Sequence, residues 1–202
     1  MFSKLGLFLV SALILFSSAI YAHEDKNVAA LNGYYLDSSL CLAAAAKAGE
    51  EFGVSYDLLQ TISAVESGKW SDLHNTYIAW PWTVNVAGKG YYFESKEEAV
   101  AAVKKFLAQG RKSIDVGCMQ INLKYHGDAF SSIEDAFDPE QNVKYSAKFL
   151  RSLYARHGGD WAKAAKRYHS ARVKDGDLYA NRLLKRFDRY KVAGLSEEPN
   201  LF

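Results

Sequence analysis

The order of apolar and polar positions marks out helices first. "SSLCLAAAAKAGEEF", from Ser38 or Ser39 to Phe52, is alanine-rich, opens on a serine cap and stops at Gly53. Ser55 caps a second helix, "YDLLQTISAVES", with Asp57 in its first turn. Leu58, Ile62 and Val65 form its apolar face, and Glu66 stands where that face runs out. From Trp80 the period changes. "WPWTVNV" and "GYYFE" are rich in β-branched and aromatic residues and flank "AGKG", which predicts a β-hairpin. Ser95 with Glu98 forms a capping box for "KEEAVAAVKKFLAQ", which stops at Gly110. "SIDV" reads as a short extended segment leading into "GCMQIN".

Asp138-Pro139 is a cap followed by a first-turn proline. It opens a long helix ending at Gly158-Gly159, in which Val143, Ala147, Leu150 and Leu153 recur at helical spacing. Asp160 caps "WAKAAKRYHS", and Asp177 caps "LYANRLLKRFDRY". The tail "AGLSEEPNLF" is expected to fray. The sum is an α+β domain, mainly α, with a small β-hairpin set into it.

The N-terminus does not belong to that domain. "MFSKLGLFLVSALILFSSAIYA" has an early lysine, an apolar run from Leu5 to Phe16 and small residues up to Ala22, the layout of a secretory signal. The run is shorter than the roughly 20 residues of a membrane-spanning helix. Cleavage after Ala22 is expected, with cleavage after Ala19 as the alternative. No cysteine follows the run to carry a lipid. The chain therefore divides into a leader (1–22), an extension (23–37), a domain (38–191) and a flexible tail (192–202), with no stable membrane span after cleavage.

Composition narrows the class. The 202 residues are 49% hydrophobic and 14% aromatic, which suits one globular domain. The formal charge of +2 falls by one when Lys4 leaves with the leader, a balance that argues against a nucleic-acid binder. The basic residues of the last two helices, among them Lys166, Arg182 and Arg186, read as a solvated face; contact with an acidic polymer is the functional alternative. Two cysteines, Cys41 and Cys118, in an exported chain have one intramolecular pairing, and a disulfide is expected; two buried thiols are the alternative. His23, His74, His126, His157 and His169 show no metal-ligand spacing, so no metal is expected.

Three short motifs carry the chemistry. A glutamate at the end of an apolar helix can be buried enough to hold a proton near neutral pH, which makes Glu66 a candidate acid. "GCMQIN" at 117–122 places an apolar methionine and two amides, Gln120 and Asn122, in six residues; amides suit sugar hydroxyl and acetamido groups. Turn-forming hydrogen bonds are the plainer account of those amides. "AAKRYHSA" puts Tyr168 and His169 at the end of a helix, and a core tyrosine is the plainer account of Tyr168.

Taken in this order, the motifs resemble the lysozyme-like lytic transglycosylases (SLT-type, family 1) of bacterial peptidoglycan. The pattern there is Glu-Ser at a helix end, then Gly-x-Met-Gln-Ile, then Tyr-Asn near the end of an alanine-rich helix. Here it reads Glu66-Ser67, Gly117-Cys118-Met119-Gln120-Ile121 and Tyr168-His169, over roughly residues 38 to 190. Two features depart. Histidine stands where asparagine is usual, and the 51 positions between Glu66 and Gly117 exceed the expected spacing. The surplus, Trp80 to Arg111, contains Trp80, Trp82 and Tyr92, which are either sugar-stacking platforms or the hairpin's own core.

The resemblance implies a lysozyme-like fold and a periplasmic enzyme that cleaves the MurNAc–GlcNAc β-1,4 linkage of glycan strands and leaves 1,6-anhydromuramyl ends. It implies Glu66 as catalytic acid and base, and Ser67, Met119, Gln120, Asn122, Tyr168 and His169 around the substrate. It implies no cofactor, and an association with a secretion, conjugation or flagellar machine. Two other functions remain open at this point. A lysozyme-like hydrolase would use Glu66 and a second acid, for which Asp72, Glu94 and Asp115 are the nearest candidates. A non-catalytic wall-binding module would account for the altered "YHS".

Overall fold

The computed structural model describes Gly33 and residues 36–196 and 200–202. The expected leader lies outside the described residues, as does most of the extension. The chain divides after Asp37, and the fold is that of the unit Ser38–Phe202.

Helix α1 (36–52) precedes α2 (Tyr56–Ser67). Two hairpins follow: β1 (Gly68–Ser71) with β2 (Thr76–Ala79), and β3 (Thr83–Val86) with β4 (Lys89–Tyr92). Then come α3 (Lys96–Ala108), β5 (Ile114–Val116), β6 (Ile121–Asn122) and the short α4 (Leu123–His126) and α5 (Ile133–Ala136). The chain closes on α6 (Pro139–Arg156), α7 (Trp161–His169) and α8 (Val173–Val192). The architecture is α+β and mainly α.

Helix α2 is the centre. Leu58 to Ala64 are buried without interruption, so the helix is covered on every side rather than on one stripe. Cys41 and Ala45 of α1, Val143 and Leu150 of α6, Ala165 of α7, and Tyr179 and Leu183 of α8 share its core. Cys41 and Cys118 are joined in a disulfide that ties α1 to the loop before β6 across 77 positions.

The expected hairpin is β3–β4, and it belongs to a larger sheet. β5 pairs antiparallel with β3, and β6 with β5, giving the strand order β4-β3-β5-β6. The turn is Ala87-Gly88 with φ of +53° and +89°, the handedness of a type I′ hairpin turn, and Asn85 Oδ1 accepts from Gly88 N at 2.9 Å. The first hairpin, β1–β2, has no counterpart in the sequence reading. Trp80 and Trp82 are 1% and 7% exposed, and Trp80 Nε1 donates to Phe93 O at 2.7 Å. Both rings are therefore the sheet's own core and not sugar platforms. Tyr92 is exposed, and its hydroxyl donates to Gly68 O at 3.0 Å.

Capping fits the sequence at α3, α6 and α7, where Ser95, Asp138 and Asp160 accept from the third residue of their helices. Ser55 occupies the cap position of α2 without a side-chain cap bond. Helix α8 begins at Val173, not after Asp177. Gly176 lies in its first turn because α8 passes α7 closely; a Cβ there would meet Lys166 O at 3.1 Å. The tail is partly held. Leu195 O accepts from the buried Gln60, Ser196 Oγ donates to Asp57 Oδ2 at 2.9 Å, and Leu201 is buried.

Candidate active site

Helix α2 ends at the point where the helical core meets the sheet. Ser67 is fully buried, and its hydroxyl lies between Ser63 O at 2.9 Å and Cys118 O at 2.8 Å. Thr83 Oγ1 lies between Trp80 O at 2.8 Å and Ser67 O at 3.3 Å, and Gly117 N donates to Thr83 O at 3.0 Å. The residue after Glu66 is thus bonded to both the "GCMQ" turn and β3.

That turn is held from below by Asn142 of α6, which is fully buried. Its Oδ1 accepts from Met119 N at 2.9 Å, and its Nδ2 donates to Val116 O at 3.1 Å and Ala136 O at 2.9 Å. Gly117 has φ +79°, and a Cβ on it would lie 2.5 Å from Asn142 Nδ2. Two independent reasons, conformation and space, therefore require glycine. Gln120 also adopts positive φ, +48°, and its Nε2 donates to Thr83 O and Gly117 O at 3.1 and 3.0 Å.

These parts surround a cavity of about 560 Å³, a size suited to a small ligand or a few sugar rings. Glu66, Asp115, Gln120, Asn122, Tyr168 and His169 line it. The Glu66 side chain keeps 16% of its surface, and its Oε1 lies 3.7 Å from His169 Nδ1. Tyr168 donates to Met119 O at 2.9 Å and accepts from Ser146 at 3.1 Å. Burial, reinforced by the Glu66 charge, pushes its phenol far above the ordinary range. Asn122 donates to Asp115 at 2.7 Å and to Ser113 at 3.1 Å, and caps α4 by accepting from Lys124 N.

The six expected substrate residues divide into two groups. Gln120, Asn122, Tyr168 and His169 reach the cavity. Ser67 and Met119 have no exposed surface, so neither offers a face to a sugar; they hold the wall that the others line. Among the candidate second acids, Asp72 accepts from Trp70 Nε1 and Glu94 pairs with Lys69, both at the surface, whereas Asp115 lines the cavity. Burial raises the Asp115 pKa, and the nearby Glu66 raises it further against the lowering effect of the Asn122 bond.

Other contributors were not assigned to the site from the sequence, among them Tyr179, Tyr125 and Arg182, the last read there as part of a solvated basic face. Tyr179 of α8 is fully buried with its ring stacked on His169 at 4.4 Å and 3°. Its hydroxyl has no partner of hydrogen-bond geometry, and burial together with the adjacent Glu66 drives its phenol well above the ordinary value. Arg182, one turn on, lines the cavity with its Nη2 3.2 Å from His169 Nε2. Tyr125, 71% exposed, lines the cavity together with Tyr145, Phe149 and Tyr168, whereas Trp80 and Trp82 do not. Among the described residues, no group of three His, Cys, Asp or Glu side chains is arranged to hold a metal ion, and no helix is long and apolar enough to cross a membrane.

Neither a curated protein nor a solved structure matches the chain. The family profile described as "Transglycosylase SLT domain" matches residues 43–185. That span holds Glu66, the Gly117–Gln120 turn, Asn142, Tyr168 and Tyr179 in one connected frame, and the chain belongs to the SLT transglycosylase family, whose substrate is peptidoglycan.

Proposed function

We propose that the protein is an exported, periplasmic lytic transglycosylase that cleaves the MurNAc–GlcNAc β-1,4 linkage and leaves 1,6-anhydromuramyl ends. The supporting observation is the position of Glu66. Its carboxyl group is mostly buried at the edge of a cavity, fixed through Ser67 to the turn that carries Gln120. A leader-like N-terminus and a disulfide support export.

In this mechanism Glu66 gives its proton to the glycosidic oxygen as the C1–O bond breaks, and the freed GlcNAc hydroxyl departs. The acetamido oxygen of the MurNAc ring stabilises the electron-poor C1. Glu66, now a carboxylate, takes the proton of the MurNAc 6-hydroxyl as that oxygen bonds to C1. One proton is lent and returned, and no water is consumed. The Gln120 amide oxygen and the Tyr125 ring offer surface to the sugars, while the Asn122 amide, bonded to Asp115, Ser113 and Lys124 N, holds its part of the wall. Which envelope machine such an enzyme would serve is an association from resemblance, with secretion, conjugation and flagellar assemblies as the classes.

One observation favours a second reading. Asp115 lines the same cavity as Glu66, so a second carboxylate is at hand for a lysozyme-like hydrolase. Digestion of purified sacculi, followed by weighing the fragments, separates the two. Muramyl ends lighter than hydrolysed ends by one water support the transglycosylase; hydrated ends alone support the hydrolase. No release by the parent protein, or equal release by Glu66→Gln, overturns both.

A further inference from the structure

We infer that His169 is a positioning residue for Glu66, the tautomer of its neutral ring set by Arg182 so that the proton lies on Nδ1. The inference rests on the functional reading above, since it concerns the charge that Glu66 acquires when its proton leaves.

The argument begins with donors. A guanidinium has only N–H donors and stays charged. Arg182 Nη2 lies 3.2 Å from His169 Nε2, so Nε2 is the acceptor and bears no proton. A neutral ring then carries its proton on Nδ1, and Nδ1 is the nitrogen that lies 3.7 Å from Glu66 Oε1. Arg182 is itself steered by the Tyr179 face, 5.2 Å from its Cζ, and the same Tyr179 ring stacks on His169. The titratable and charged groups about the ring are Glu66 from α2, Asp115 from β5, Tyr168 from α7, and Tyr179 and Arg182 from α8.

The consequence is chemical. At 3.7 Å the Nδ1–H group makes no hydrogen bond to the resting carboxyl. Such contacts tighten when the substrate is bound and charge develops. Once Glu66 has given its proton away, Nδ1–H is a donor beside the carboxylate. Because Nδ1 is already protonated, the ring cannot take the proton that Glu66 must recover. Histidine in place of the family's usual asparagine thus keeps an N–H donor at this position and adds a connection to α8.

The nitrogen-15 long-range spectrum of the histidine rings tests this on the protein without substrate. His169 is assigned by its absence from the His169→Asn spectrum. The expected result is a proton on Nδ1 in the parent and its displacement toward Nε2 in Arg182→Met. In glycan cleavage, His169→Leu is expected to lower kcat about tenfold at unchanged KM. His169→Asn, which restores an N–H donor, should recover most of that loss. The double variant His169→Leu with Arg182→Met should be no slower than His169→Leu, because both act through one hydrogen-bonded chain. A proton on Nε2 in the parent overturns the inference, as does a raised KM at unchanged kcat in His169→Leu, which would mark a sugar contact. A parent that cleaves no glycan sinks the functional reading and leaves the tautomer to the spectrum.

Discussion

Ser67 Oγ donates to Cys118 O at 2.8 Å, and this bond fixes the residue beside Glu66 to the turn that carries Gln120. The family's Glu-Ser pair thereby acquires a physical division of labour. The glutamate faces the cavity, and the serine holds the helix end in register with the opposite wall. Ser67→Ala leaves the Cys118 carbonyl buried without its donor, which costs about 1–2 kcal/mol of stability. It should also lower kcat more than it raises KM, because a shifted carboxyl weakens the transition state more than the bound sugar. Denaturant unfolding and steady-state cleavage of a soluble glycan check the two effects separately.

Asn142 should be the more costly residue to lose. It makes three hydrogen bonds in a fully buried position, so Asn142→Ala abandons two carbonyls and one N–H at once. A loss of about 3 kcal/mol or more is expected. Gly117→Ala should rival it, since the added methyl meets both the positive φ and the Asn142 amide. Thermal melts of the two variants measure this, and a change under 1 kcal/mol, roughly, would contradict the clamp.

Reduction of Cys41–Cys118 releases a loop of 77 positions. Chain entropy alone predicts a loss of about 4 kcal/mol. The bond also anchors the middle of the Gly117–Gln120 turn, so activity should fall at temperatures where the reduced protein is still folded. Paired unfolding curves and cleavage rates for the parent and for Cys41→Ser with Cys118→Ser provide the comparison.

Asp115 gives a pH dependence with a definite sign. Burial raises its folded pKa above the ordinary 3.8, and the Glu66 charge adds to the rise. A raised carboxyl pKa means that the folded state disfavours the ionised form. Its favourable contribution is complete below 3.8 and is lost as pH rises through the folded value. Asp115→Asn should therefore melt higher than the parent at neutral pH, with the gain vanishing in acid. Its amide oxygen can still accept from Asn122. Under the transglycosylase reading this variant continues to form anhydro ends; under the hydrolase reading it stops cleaving.

Much of this arrangement was legible locally. Glu66-Ser67 at a helix end, the six-residue "GCMQIN" and the Asp138-Pro139 start of α6 are short-range signals; Glu66, Gln120 and Asn122 line the cavity, whereas Ser67 and Met119, expected at the substrate, are buried in its wall. Apart from the disulfide, features set by contacts distant in sequence were not legible. Tyr179 carries no local signal; the packing of α8 stacks its ring on His169. Asn142 carries no local signal, because its partners lie on three other segments. Strand β1, "GKWS", has neither alternation nor β-branched residues, so pairing with β2 defines it. Trp80 and Trp82 left two readings open, sugar platform or hairpin core, and packing decides for the core, while Tyr125 is exposed. Residue type gives the chemistry available; only the fold decides which face it serves.

Digestion of sacculi in water labelled with heavy oxygen tests the central claim most directly, because it asks whose oxygen closes on C1. If the MurNAc 6-hydroxyl attacks while Glu66 lends and recovers one proton, the muramyl ends carry no label. Label in every new muramyl end would show that water attacks, and would contradict the account.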